Sequence, residues 1–296
     1  MTASFVAAVA QYPVSRPGSW EQAATTLAQW VAEAAAYGAR LLVFPEYASM
    51  SMAALLEPTM QDDLRLQLPA LQALRTRYLD LHRELAREHR VYLLAGSFPW
   101  QLDAQRYVNR AWLCAPSGRA AFQDKQIMTR FEREHWGVTA GEPAKVFDTA
   151  LGRIGVAICY DAEFPLLVRA QIAAGATALL VPSCTDALAG YHRVRVAAQA
   201  RALESQCHVL LAPLVGVAPW SPAVDVNIGA AAVYGPPDRG FPDDGVLAQG
   251  ELNTPGWVYA AIDPSMVESV RADGQVLNHL HWAEQDERRT ALVETL

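Results

Sequence analysis

Short apolar runs and helically spaced apolar positions take turns along the chain. Residues 6–10, Val-Ala-Ala-Val-Ala, form a run of the kind a buried strand carries. From Trp20 onward, Ala23, Ala24, Leu27, Trp30, Val31 and Ala34 fall at helical spacing, and Gly38 can close that helix in a left-handed conformation. Leu41-Leu42-Val43-Phe44 then reads as a buried strand stopped by Pro45. Strand, helix and strand in this order usually carry a parallel pair.

A second amphipathic helix places Leu71, Leu74, Tyr78, Leu81 and Leu85 on one face and leads into a strand over 91–96. Residues 108–115 and 120–122 predict two antiparallel strands joined by Pro116-Ser117-Gly118. Further on, Ile154, Val156 and Ile158 alternate with Gly155, Ala157 and Cys159, which predicts a strand ending on the cysteine. Pro165 suits the first turn of a helix reaching Ala174, with Gly175 at its end. Strands over 178–181, 209–211, 230–234 and 257–262, with a helix over about 193–206, complete the ordered part. The stretch 235–250, rich in Gly, Pro and Asp, reads as a surface loop. With no low-complexity tract and no short repeat, the pattern predicts a single mixed α/β domain over 1–296.

Composition supports a large core: 52% of residues are hydrophobic and 19% charged, too apolar for general disorder. A net charge of −7 and a pI near 5.5 disfavour a nucleic-acid or anionic-membrane surface, and no basic stripe is visible. The start, Met1 to Phe5, has no basic segment leading into a long apolar run, and no stretch approaches the roughly 18 apolar residues of a membrane span. A cytoplasmic protein is expected. Cys114, Cys159, Cys184 and Cys207 lie far apart without a CxxC pair or zinc-ligand rhythm, so free thiols and no metal are expected. His279-Leu280-His281 lacks carboxylate neighbours at ligand spacing and reads as a tail feature.

Three polar residues stand just past predicted strands. Cys159 is followed by Tyr160-Asp161 and a helix beginning near Pro165, a crevice where helix N-termini favour a thiolate and can hold an oxyanion. Glu46, in Phe44-Pro45-Glu46, would share that rim if the strands share a sheet, and burial would raise its proton affinity toward that of a general base. Lys125, beyond Phe122-Gln123-Asp124, would lower a nearby thiol's pKa and present a cation to a forming oxyanion. Taken singly, Cys159 reads first as a core cysteine and Lys125 as a solvated lysine, while Glu46 reads equally as a structural or capping carboxylate.

Together with their surroundings they resemble the nitrilase superfamily of carbon–nitrogen hydrolases. Gly38 to Glu46 matches the segment of the family's glutamate base, Asp124-Lys125 the lysine segment, and Gly155 to Pro165 the nucleophile segment. The stretches Gly175-Ala176 through Val181-Pro182-Ser183, and Ala200 to Glu204, match two following structural blocks. The resemblance implies a four-layer α-β-β-α sandwich with mixed sheets, a homodimer or higher homo-oligomer, no cofactor, and a second glutamate orienting the lysine. Glu132 fits that role through Glu132-Arg133 and Trp136-Gly137, and Glu134 stays open beside it. The long segment between Met50 and Leu85 exceeds that of compact members.

By this resemblance Cys159 attacks a small-molecule substrate, Glu46 moves the proton, and Lys125 with the Tyr160 N–H stabilises the oxyanion. Cys159-Tyr160-Asp161 resembles amidase and carbamoylase branches; nitrile hydrolysis is the alternative. Tyr47, Trp136, Cys184, Tyr191 and His192 are candidates for the pocket lining, whereas Arg201 reads as structural. A serine hydrolase is the nearest enzyme rival, but the chain has no GxSxG elbow. A catalytically silent binding or assembly protein on the same fold is the rival from another class. From about Gly274 the tail resembles an arm that crosses a subunit interface, or else a frayed end.

Overall fold

The computed structural model describes residues 3–296; Met1 and Thr2, part of the stretch read for a leader, lie outside it. In chain order its first half comprises β1 (Phe5–Pro13), α1 (Trp20–Ala36), β2 (Ala39–Val43), α2 (Pro58–Gln61), α3 (Leu64–Leu71), α4 (Arg75–Glu88), β3 (Tyr92–Gln101), β4 (Tyr107–Cys114) and β5 (Ala120–Asp124). The second half comprises β6 (Val138–Thr139), β7 (Val146–Thr149), β8 (Gly152–Val156), α5 (Pro165–Ala173), β9 (Ala178–Ser183), α6 (Leu188–Ser205), β10 (His208–Val217), β11 (Val226–Asn227), β12 (Ala232–Tyr234), β13 (Val246–Gln249), β14 (Gly256–Ile262), α7 (Pro264–Asp273) and α8 (Asn278–His281).

β1 lies at the centre because it is apolar on both faces. Ala7 and Val9 enter one core, Ala8 and Ala10 the other, as a strand covered on both sides requires. It pairs in parallel with β2, antiparallel with β14, and through Tyr12 and Pro13 in parallel with β10. The strand order β5-β4-β3-β2-β1 thus continues into β10-β9-β8-β7. One core lies beneath α1 and α4, which bury Leu27, Val31, Tyr78 and Leu85. The other fills the space between the two halves and reaches Val168 and Ile172 of α5 and Val194, Ala198 and Ala202 of α6. The chain is an α-β-β-α sandwich with mixed sheets.

Several expected boundaries move. The stretch 235–250 contains a strand, β13, because pairing with β12 supplies backbone partners that composition does not reveal. Helix α6 starts at Leu188, five residues before the expected position, and its N-cap Ala187 has no capping side chain, so no start signal was there to read. Residues 48–74 hold a 3-10 helix, α2, α3 and a second 3-10 turn over Gln72–Leu74, so Leu71 and Leu74 of the expected helix face lie ahead of α4, which starts at Arg75. Past Gly274, α8 and a 3-10 turn over Trp282–Arg288 follow, with Arg169 of α5 packed over the Trp282 ring at 4.9 Å. Among the described residues, no helix is long and apolar enough to cross a membrane.

Candidate active site

Three strand ends converge on one buried cluster. Past β2, Phe44 N donates to Leu94 O at 3.0 Å, so Pro45 and Glu46 leave the sheet directly beside β3. The facing residue is Gly96, in left-handed backbone at φ +72°, and a Cβ on it would stand 2.1 Å from Pro45 O. Only glycine meets both demands. Tyr47 turns the chain at φ 56°, its N–H held by Ser97 Oγ at 2.9 Å. Glu46 is left 1% exposed.

Lys125 follows β5, and its N–H donates to Asn109 O on β4 at 2.9 Å. Beside it, Asp124 accepts two bonds from Arg110, at 2.7 and 2.9 Å, and the guanidinium lies 3.6 Å from the Phe122 ring centre. This packing directs Lys125 inward, where it is 1% exposed.

Cys159 sits differently from its expected place on a strand. Strand β8 ends at Val156, Ala157 N still bonds to Leu180 O, and a 3-10 turn, Cys159–Glu163, begins on the cysteine. Alternation of small and branched residues reports burial, not ladder bonds, so the pattern runs past the last paired residue. Cys159 has φ 49°, a left-handed conformation that costs a non-glycine residue about 1–2 kcal/mol. The helix N-terminus nearest the thiol belongs to this short turn, whose first N–H groups, Tyr160 among them, have no intrahelical acceptor. Asp161 fastens the turn to the lysine segment by accepting from Gln126 N at 3.0 Å and Ile127 N at 2.8 Å. Burial raises the Asp161 pKa to about 6 despite those bonds.

Lys125 Nζ donates to Glu46 Oε1 at 2.8 Å and to Glu132 Oε2 at 2.6 Å. Asn109 Nδ2 also bridges the two carboxylates, at 2.8 Å to Glu46 Oε1 and 3.2 Å to Glu132 Oε1. Glu132 accepts further from Tyr47 OH at 2.6 Å and from Thr129 N and Oγ1, each at 2.9 Å. These donors separate the two acids. Burial raises the proton affinity of Glu132, but the Lys125 charge and the hydrogen bonds outweigh it and hold the group below the usual carboxylate range. Glu46 has fewer donors; burial, opposed by Lys125 and reinforced by the Glu132 charge, lifts it to about 7. Burial disfavours the Lys125 ammonium, yet Glu132 and Glu46 hold its pKa well above the ordinary value.

The Cys159 thiol is pushed well above its usual range by burial and by the Glu46 charge, against the pull of Lys125. The lysine effect expected to favour a thiolate is therefore present but outweighed. At rest the cluster holds a thiol beside a carboxylate poised near neutrality. It can move a proton at Glu46, keep a cation beside the sulfur and offer free backbone N–H groups to a developing oxyanion.

Glu134, two residues beyond Glu132, lies in an exposed pair with Arg130 at 2.9 Å, so the glutamate that meets Lys125 is Glu132. It opens a single π-helical turn, Glu132–Trp136, that brings Trp136 against Tyr47 with ring centres 4.8 Å apart. Cys184 follows β9; its carbonyl accepts from Cys159 Sγ at 3.7 Å and its own Sγ donates to Asn227 Oδ1 at 3.2 Å. The Tyr160 ring packs edge-on against Phe164. Tyr191 is buried in the first turn of α6 and His192 is exposed beside it; neither hydrogen-bonds to the cluster. Asn109, Thr129 and Asn227 lie outside every sequence motif, and Asp161 stands in one without a role that the motif reveals. Asn109 carried a readable signal, because a polar residue inside an apolar strand is the informative exception.

A carbon–nitrogen hydrolase family model matches residues 6–272. The chain belongs to the carbon–nitrogen hydrolase family. The chain is 31% identical over 268 residues to the probable hydrolase YhcX of Bacillus subtilis, covering 90% of this chain and 52% of that one, so it spans about half the length of that relative. It is 29% identical over 214 residues to a deaminated glutathione amidase of Synechocystis sp., covering 66% of this chain and 72% of the other. Among solved structures, an amidase variant from Nesterenkonia sp., with the acetamide moiety of fluoroacetamide added covalently at the active site cysteine, matches with a TM-score of 0.68 at 22% identity over 98% of both chains. That likeness carries the fold.

Proposed function

We propose that this carbon–nitrogen hydrolase cleaves a non-peptide C–N bond of a small linear amide or carbamoyl compound through a thioester on Cys159. The observation that carries the reading is the single buried cluster in which Lys125 bridges Glu46 and Glu132 beside the Cys159 thiol. Glu46 takes the thiol proton as Sγ attacks the substrate carbonyl carbon, and Lys125 with the Tyr160 N–H stabilises the oxyanion. Glu46 passes the proton to the departing amine or ammonia, leaving a thioester. It then takes a proton from water, the resulting hydroxide opens the thioester, and the proton returns to sulfur as the acid leaves. Lys125 stays charged throughout, held by the two glutamates. The similarity in sequence to a deaminated glutathione amidase supports this chemistry.

Tyr47, Trp136 and Cys184 border the cluster and would shape the acyl pocket; Tyr191 and His192 would act at its outer edge. We read residues 1–296 as one hydrolase domain with an arm from about 274, in a cytoplasmic homodimer. Exposed Leu166, Leu188, Val196 and Leu203 on α5 and α6 support an apolar subunit contact. Ammonia release from small amides, N-carbamoyl amino acids and nitriles, by wild type and Cys159→Ala, tests the reaction. Amide or carbamoyl turnover lost in Cys159→Ala is expected. Wild-type-like turnover in that variant sinks the mechanism, ammonia from nitriles alone moves the reading to nitrile hydrolysis, and no turnover on any class favours a silent scaffold.

A further inference from the structure

Glu46 has two carboxylate oxygens, and the structure treats them unequally. Oε1 accepts from both Lys125 Nζ and Asn109 Nδ2, each at 2.8 Å. No nitrogen or oxygen donor among the described residues reaches Oε2, and the Cys159 side chain lies close enough to the carboxylate for each to shift the other's proton affinity. A proton needs a free lone pair, which leaves Oε2 as the receiving atom. We propose that Asn109 is the positioning residue that makes Glu46 a base, by occupying Oε1 and turning Oε2 to the thiol. The inference rests on the reading of Glu46 as the proton acceptor.

The amide orientation is fixed by its surroundings. Turned over, the Asn109 oxygen would face two carboxylates, so Nδ2 must point at them. The cost is visible, because Asn109 Oδ1 is buried without a partner. A leucine of similar shape would avoid the orphaned oxygen but take a donor from two buried carboxylates, so what the amide contributes here is the placed donor. Asn109 also accepts the Lys125 N–H through its own carbonyl, so one residue of β4 sets both the lysine backbone and the carboxylate it pairs with. Being neutral, it orients Glu46 without changing the sum of charges in the cluster.

The test is the pH dependence of kcat/KM for an amide turned over by the wild type. Asn109→Leu removes a donor to the ionised form of Glu46, so the acid limb should move up by about one pH unit. Turnover should fall at pH 9 through the lost orientation and roughly tenfold further at pH 6 through the raised limb, with KM little changed. Asn109→Asp adds a negative charge and should move the limb further. A limb midpoint does not depend on how much of the sample is folded, and if the leucine variant gives no soluble enzyme, Asn109→Ser carries the same expectation. An unmoved or lowered limb, or an equal loss at every pH, overturns the inference. Glu46→Gln run in parallel separates the two readings. Retained turnover with the wild-type limb removes Glu46 as the base and takes the inference with it. A dead Glu46→Gln beside an unmoved Asn109→Leu limb overturns only the role of Asn109.

Discussion

Replacing Glu132 with Gln keeps the shape of the side chain and deletes one charge from the cluster, which should shift the acid limb of turnover in the opposite direction. The negative charge of Glu132 raises the proton affinity of Glu46, which stands at about 7. Glu46 Oε1 and Glu132 Oε2 both bond to Lys125 Nζ, at 2.8 and 2.6 Å, so they lie at most about 5.4 Å apart. Two unit charges at that separation repel by about 3 kcal/mol at an effective dielectric of roughly 20, or about 2 pH units. Each charge is spread over two oxygens, so a shift of about 1 unit is expected, with the limb falling toward pH 6. A base of lower proton affinity also takes the thiol proton less readily, and kcat should fall by about 10- to 100-fold. The assay is ammonia release from a small amide between pH 4.5 and 9, with circular dichroism to confirm the fold. An acid limb that stays in place or rises would refute the assignment of Glu46 as the base whose charge Glu132 opposes.

Two substitutions test the supports of the cluster. Gly96→Ala forces a left-handed alanine against Pro45 O, 2.1 Å from the new Cβ, and should cost about 2–4 kcal/mol in urea unfolding with loss of turnover; an unchanged midpoint would contradict the close approach. Arg110→Met strands the buried Asp124 carboxylate that now takes bonds of 2.7 and 2.9 Å and should cost about 3–5 kcal/mol. A thermal midpoint within 2 °C of wild type would show that Asp124 finds other partners.

What was legible in the sequence is what local pattern encodes. The doubly apolar run of β1, the helical spacing of α1 and the helix after Pro165 follow from side chains a few residues apart, and each of these appears where its periodicity put it, whereas α4 begins only at Arg75 and keeps Tyr78, Leu81 and Leu85 of the expected face. The three blocks around Glu46, Lys125 and Cys159 were visible too, because short ordered segments carry a family resemblance that needs no coordinates. Tertiary structure alone decided how those residues act. Lys125 and Glu46 are 79 residues apart in sequence and Asn109 and Glu46 are 63 apart, and no periodicity reports contacts at that range. Glu132 and Glu134 are alike in sequence; the π-helical turn sends one to the lysine and the other to solvent. Cys159 lies past the end of its strand because pairing stops before burial does. Proton affinities belong in the same class, since they depend on how many donors a fold gathers around each carboxylate: five hydrogen bonds hold Glu132 ionised, while two leave Glu46 near neutrality.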